Sequence, residues 1–342
     1  MNALPTPQFR VFTGEQIDAA VRAGKRDILD TVEAAYRSHH AGHTVNPQSQ
    51  FLRFPDARCN RIIALPAHIH NDAGDSVTGI KWISSFPENI ERGMPRASAV
   101  LILNDAPSGY PMACMEASII SAARTAASAI SALRCLTRND ASVHRRVAFV
   151  GAGVIARHVV ESLSLAALPI DEVVIHDLNS DYAESLATRV RTHVGLDART
   201  EPSLEAAIRS SDVIVFATTA SSPHVNDPAW FSHCPVVLHL SLRDLAPAIV
   251  LASHNVVDDV DHCLRAMTSL HLTEAATGHR HFVTTSLPHL LCGGDPPARD
   301  RPIVFSPFGL GILDIAVGHW IYERLAARQT PVPRFFFDMQ RA

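Results

Sequence analysis

Val147-Ala-Phe-Val-Gly151-Ala-Gly153-Val-Ile-Ala156 joins a short apolar run to a glycine-rich turn and then to a stretch with helical character. The turn reads G-x-G-x-x-A, and each small residue has a mechanical reason to be there. Gly151 allows the tight bend, Gly153 lets a pyrophosphate approach the backbone, and Ala156 lets helix and strand pack closely. The first helical residues, Val154 and Ile155, present free N–H groups and the positive end of the helix dipole to a phosphate. A second apolar run ends in Val173-Val-Ile-His-Asp177, and Asp177 follows Gly151 by 177 − 151 = 26 residues. A carboxylate at that strand end binds ribose hydroxyls and repels a 2′-phosphate, so the expected cofactor is NAD rather than NADP. Thr219, in Thr218-Thr219-Ala220, falls where the next loop crosses the cofactor.

Outward from this turn, strand-like runs at 147–150, 172–175, 213–216, 236–240 and 255–257 alternate with helical patterns at 154–165 and 182–194. That alternation predicts an α/β Rossmann fold, a doubly wound parallel sheet. Upstream, 14–40 carries apolar residues at helical spacing. Residues 61–66, 77–83 and 97–104 read as strands, and the Ala- and Ser-rich 117–136 as a closely packed helix. Downstream, 308–327 predicts an amphipathic helix that returns to the first part of the chain. The expected organisation is a Rossmann domain, 134–306, inserted into an α+β substrate-binding and dimerisation domain made of 1–133 plus 307–342.

The net charge of −4 and the scattered Lys and Arg give no footprint for nucleic acid. The six cysteines form no C-x-x-C pair and predict reduced, mostly buried thiols in a cytoplasmic protein. Residues 1–7 lack the basic and apolar regions of a secretion signal, and no apolar stretch is long enough to expect a membrane span. The paired histidines His68/His70 and His279/His281 have i, i+2 spacing without carboxylate or Cys partners, so no metal is expected.

Gly79-Ile-Lys81-Trp-Ile, Gly109-Tyr-Pro-Met-Ala and Arg124-Thr-Ala-Ala, in this order ahead of the glycine turn, resemble the ornithine cyclodeaminase/μ-crystallin family. Phe51-Leu-Arg53, Arg61-Ile-Ile-Ala-Leu-Pro66, Arg96-Ala-Ser, Met115-Glu-Ala-Ser-Ile-Ile-Ser121 and Ser306-Pro-Phe-Gly309 resemble its N-(2-amino-2-carboxyethyl)-glutamate dehydrogenase branch, which supplies 2,3-diaminopropionate for siderophores. The resemblance implies that Arg53, Lys81 and Arg96 bind an anionic amino-acid substrate. It implies that Arg124 and Thr125 meet the cofactor pyrophosphate across the domain cleft, and that Ser241 and Phe308 line the cofactor. Asp244 would be the acidic catalytic residue, with Lys81 sharing the proton work, and the protein a homodimer. Cyclodeaminases carry an acidic residue where this chain has Ala64, which counts against ornithine. Ornithine cyclisation, ketimine reduction and a non-catalytic nicotinamide-binding role stand as alternatives.

The residues bear on these roles independently. Lys81 lies inside an apolar strand, where a solvated surface lysine is out of place. Arg124 sits among Ala and Ser, where a guanidinium needs a partner, and a phosphate would serve. Asp244 follows a strand end, which favours a catalytic role over a simple cap on Leu245-Ala-Pro.

Overall fold

The computed structural model describes residues 8–70, 76–138 and 145–336. Residues 1–7, read above for a secretion signal, and the side chain of Cys59 lie outside that description. The chain divides into two compact units, Met1–Arg124 with Leu310–Ala342, and Thr125–Gly309. The first boundary falls inside one unbroken helix, Ser118–Thr137. No turn or proline marks it, and the sequence reading placed the boundary between 133 and 134, in the same helix.

The first unit is built on β1 (Arg10–Phe12), β2 (Thr44–Val45), β3 (Gln50–Phe54), β4 (Ala57–His70), β5 (Ser76–Ser85), β6 (Ala97–Asn104) and β7 (Pro111–Glu116). They form one sheet in the order β1-β7-β6-β5-β4-β2, with β3 also paired to β4. Every pairing is antiparallel except β1 with β7. Side chains alternate between faces along each strand. Lys81, Ser85, Ala99, Leu101 and Leu103 are buried on one face, while Trp82 and Val100 are exposed on the other.

Helices Gly14–Ala23, Lys25–His40 and Gly311–Leu325 belong to this unit. The single opening helix expected from periodicity is two, broken at Gly24. A Cβ there would lie 2.0 Å from the Trp320 ring, so close packing dictates the glycine. The C-terminal helix is not amphipathic as expected. It is buried nearly all round, from Ile312 to Ile321, because it packs against β4, β5 and β6 and against Lys25–His40.

The second unit is built on β8 (Arg146–Val150), β9 (Glu172–His176), β10 (Asp197–Thr200), β11 (Val213–Phe216), β12 (Val236–His239), β13 (His254–Val257), β14 (Val283–Ser286) and β15 (Ile303–Ser306). All pairings are parallel, in the order β10-β9-β8-β11-β12-β15-β13-β14. Chain order reverses between β8 and β11, the switch point of a doubly wound sheet, where ligands bind at the strands' carboxyl ends.

Ala148, Val150, Ile214, Phe216, Val237 and Val304 pack on Ile208, Phe231, Leu245 and Ile249 to fill one face of this sheet. Each large apolar side chain so buried contributes about 1.5–3 kcal/mol. The helix after the glycine turn is shorter than expected, Val154–Val160, with a 3-10 turn at Leu163–Ala166. Helix Ser118–Thr137 is long and apolar enough to cross a membrane by composition, yet 72% of its apolar window is buried inside the protein. The cysteines depart from expectation: of Cys114, Cys234, Cys263 and Cys292, only Cys263 is buried.

Candidate functional site

The glycine turn sits at the switch point. Gly151 has φ +95°, and a Cβ on it would stand 2.6 Å from the Ala217 carbonyl oxygen, so no other residue fits. Its N–H donates to the His176 carbonyl at 2.8 Å, tying the turn to the end of β9. A Cβ on Gly153 would meet nothing within 4 Å. The protein has no packing use for that space, which suits a ligand lying against the backbone.

Asp177 is half-buried, accepting the Ala152 N–H at 2.7 Å through Oδ2 and the Asn179 N–H at 2.8 Å through Oδ1. It therefore braces the turn and also stands where a ribose would be held. Val154, Leu178 and Thr219 are exposed around it, and Ile155 is partly so. These residues fit a dinucleotide.

Asp244 lies just beyond the end of β12 and is fully buried. Thr218 Oγ1 donates to its Oδ1 and Ser241 Oγ to its Oδ2, while His239 Nε2 lies 3.1 Å from Oδ2. His239 Nδ1 in turn lies 3.1 Å from Ser306 Oγ. Burial alone would raise the acid's pKa, but His239, Ser241 and Thr218 outweigh it and hold the carboxyl at about 2. This is a fixed anion that anchors two loops, and its oxygens are already occupied. A proton acceptor working near neutrality is ordinarily held at a higher pKa than this.

Phe308 packs against the apolar cluster around Val257, Cys263 and Leu270. Its N–H and that of Gly309 donate to the two oxygens of buried Asp258, at 2.9 and 2.6 Å. Asp258 was not singled out from sequence, although Val257-Asp-Asp at a strand end resembles the Asp177 arrangement.

In the first unit, Lys81 is 1% exposed. Its Nζ lies 2.6 Å from Asp314 Oδ2 and donates to Ser121 Oγ at 3.2 Å. Arg124 Nε donates to Asp314 Oδ1 at 3.1 Å. Two cations thus share one fully buried carboxylate. Burial pushes the Lys81 pKa down, Asp314 pulls it up and Arg124 pushes it down, leaving it at about 8. A lysine near 8 exchanges protons at working pH.

Sequence reasoning missed Asp314 and assigned the partner of Arg124 to a phosphate. Asp314 is one partner of the buried guanidinium. The available signal was a lone acid inside Gly311-Ile-Leu-Asp314-Ile-Ala-Val, an apolar helix that would otherwise exclude it.

Of the other candidates, Arg96 is half-buried and donates to Ser85 Oγ at 2.7 Å, and burial lowers its pKa. Arg53 is exposed on β3, its guanidinium 5.2 Å from the Phe51 ring centre. Thr125 is half-buried within helix Ser118–Thr137. Among the described residues, no three or more His, Cys, Asp or Glu side chains gather as a metal site. His68 and His70 stack at 5.8 Å, and His68 Nδ1 bonds Thr78.

Comparison with known proteins gives a consistent picture. The family model of ornithine cyclodeaminase and mu-crystallin matches residues 13–234. N-((2S)-2-amino-2-carboxyethyl)-L-glutamate dehydrogenase of Staphylococcus aureus is 29% identical over 308 residues, covering 86% of this chain and 89% of that protein. An archaeal alanine dehydrogenase dimer with bound NAD superposes with a TM-score of 0.84 at 25% identity, covering 96% of this chain and all of that one. The Δ1-pyrroline-2-carboxylate reductase of Thermococcus litoralis, with NADH and L-proline, gives a TM-score of 0.86 at 23% identity, covering 94% and 100%. The last of these shares the fold.

Proposed function

Given a chain that belongs to the ornithine cyclodeaminase/mu-crystallin family, we propose that it oxidises N-(2-amino-2-carboxyethyl)-L-glutamate to 2,3-diaminopropionate and 2-oxoglutarate, the former destined for siderophore assembly. It is an NAD-dependent oxidoreductase acting on the CH–NH group of an amino acid. Bound on the glycine turn, NAD supplies the hydride acceptor. Gly151, Gly153, Val154 and Ile155 would hold its pyrophosphate, Asp177 its ribose, and Thr219, Ser241 and Phe308 its second half.

The observation that carries this reading is the buried Lys81–Asp314–Arg124 cluster beside Ser121. Two desolvated cations around one carboxylate suit a substrate carboxylate, and an amine near its proton-exchange point suits amine oxidation. Loss of a hydride from the glutamate α-carbon and of the N–H proton leaves an imine. Neutral Lys81 accepts that proton. Water then adds to the imine carbon and the C–N bond breaks, giving the keto acid and the free amine. The sum is adduct, NAD and water going to 2,3-diaminopropionate, 2-oxoglutarate, NADH and a proton.

Asp244 serves as a fixed carboxylate that sets the Thr218 and Ser241 loops. A homodimer through the first unit accords with the exposed apolar face of its sheet. There Trp82 stands opposite Val100, with Leu52 two strands away, respectively 43%, 39% and 49% exposed.

Incubation with NAD and the adduct, ornithine in parallel, tests the reading. Adduct-dependent NADH with matching 2-oxoglutarate is expected. Proline and ammonia from ornithine without net NADH would replace it with cyclisation.

A further inference from the structure

The turn after β15, Ser306-Pro-Phe-Gly309, lies at the carboxyl end of the second unit's sheet, between the ends of β12 and β13. Each neighbouring strand leads into a buried carboxylate, Asp244 or Asp258. Asp244 is linked to the turn through His239, whose Nδ1 lies 3.1 Å from Ser306 Oγ. Asp258 grips it directly, because Val257 stands opposite Ser306 in the strand register and the next residue reaches the turn. Its Oδ1 accepts the Phe308 N–H at 2.9 Å and its Oδ2 the Gly309 N–H at 2.6 Å. Oδ1 also accepts the Asp259 N–H at 2.9 Å and the Cys263 thiol at 3.1 Å. The same thiol lies 3.1 Å from the Ser306 carbonyl oxygen.

Asp258 is 1% exposed, and among the described residues no cation pairs with it. A buried charge is costly unless donors surround it. Here the donors include the backbone of Phe308 and Gly309. Two successive N–H groups aimed at one side chain need two acceptor oxygens, which a carboxylate has and an amide lacks. What this arrangement holds in place is the Phe308 side chain. Its ring packs on the cluster around Val257, Cys263 and Leu270, 6.3 Å from the His262 ring, and is still only partly buried. A partly exposed aromatic ring on so firmly held a backbone suits the wall of a pocket for a planar ring.

We propose that Asp258 is a positioning residue for the hydride-accepting half of the cofactor: it fixes the backbone of Phe308 so that this ring forms one wall for the nicotinamide. The Cys263 thiol ties the same carboxylate to the Ser306 carbonyl. Burial, and after it the charge of Asp258, push that thiol well above its ordinary pKa, so the sulfur keeps its proton and stays a donor. Asp258→Asn keeps the volume but turns an NH2 group toward one of the two backbone N–H groups. Donor then faces donor, and the turn shifts. The adenosine half, assigned to the glycine turn and Asp177, makes no use of this turn. The proposal rests on the cofactor placement given above, and on neither the substrate nor the reaction.

The test is calorimetric titration of the full chain with NADH and with ADP-ribose, which lacks the nicotinamide. Asp258→Asn is expected to weaken NADH about ten-fold, the worth of one charged hydrogen bond, and ADP-ribose less than about two-fold. A merely structural role would weaken both alike, because both need the glycine turn of the same unit. Equal losses, or no loss for NADH, overturn the proposal. Should Asp258→Asn not fold, Cys263→Ala carries the test by taking one donor from the same carboxylate. It is expected to weaken NADH roughly three-fold and leave ADP-ribose unchanged, and Cys263→Ser, which keeps a donor, to restore NADH binding. No selective loss in Cys263→Ala then overturns the proposal. Phe308→Ala separates this proposal from the cofactor placement. Where it weakens NADH alone and Asp258→Asn does not, Phe308 keeps its place and Asp258 loses its role. Where it leaves NADH binding intact, the assignment of Phe308 to the cofactor falls, and the proposal with it.

Discussion

Asp314→Asn isolates the carboxylate that both buried cations share. In the wild type, Lys81 is held at about 8 by burial pulling down, Asp314 pulling up and Arg124 pulling down. Both upward influences come from Asp314, its charge and its hydrogen bond. Removing it leaves only forces that favour the neutral amine. Two unit charges about 4 Å apart interact by about 4 kcal/mol at an effective dielectric of 20, and each pKa unit corresponds to about 1.4 kcal/mol. The Lys81 pKa should therefore fall by roughly one to three units.

The sign in the assay follows from which form works. If neutral Lys81 accepts the substrate's proton, kcat/KM rises with pH through about 8 and then levels. In Asp314→Asn that rise should move to lower pH by at least about one unit. The level reached should be lower, since the amine has lost the 2.6 Å contact that orients it. NADH formation followed over a pH series reads both effects. A rise that stays put, or moves upward, refutes the assignment of the titrating group to Lys81.

Asp244→Asn should cut turnover on the order of a hundred-fold, since a small misplacement of loops beside the reacting atoms is that costly. It should leave NAD affinity within about two-fold and the rise near pH 8 in place; unchanged turnover removes Asp244 from the site. Asp177→Ala should weaken NAD binding about ten-fold and narrow the discrimination against NADP, read by titration with each nucleotide. Equal preference before and after would dismiss Asp177 as the ribose ligand. Gly151→Ala forces a methyl to 2.6 Å from a carbonyl oxygen at φ +95°, and should destabilise the protein by about 1–3 kcal/mol in denaturant unfolding.

The glycine turn and its flanking strands were legible because their signal is local. Strand, turn and helix start lie within ten residues, and each small residue answers a nearby steric demand. β15 was missed for the opposite reason. Ile303–Ser306 is only four residues long, and it enters the sheet between β12 and β13, out of chain order. Its assignment depends on partners some fifty or more residues away, which no window contains. The break at Gly24 is similar, because the ring that forbids a side chain is Trp320.

The site divides in the same way. Lys81 was legible as a charge inside an apolar strand. Arg124 was legible as a buried cation but not in its pairing, because Asp314 lies 190 residues on. An acid in an apolar helix and a cation in a small-residue helix each announce a partner, and neither says which.

The environments of Lys81 and Asp244 bear on the roles that the residue types left open. From sequence, an aspartate at a strand end looked the natural base and a lysine its helper. We propose the reverse. Three donors around Asp244 bring it to about 2, while burial brings Lys81 from 10.5 to about 8. At pH 7 a group at 2 releases its proton readily and recaptures almost none, so it cannot carry one between steps. A group at 8 is about one-tenth free amine at that pH, and can both take a proton and return it. Groups driven apart in this way suit separate duties, and we propose a permanent charge for Asp244 and a proton carrier in Lys81. The profile should therefore have a single rise near 8 and no fall that depends on Asp244 above pH 4. A bell whose acid limb disappears in Asp244→Asn would restore the aspartate as the base.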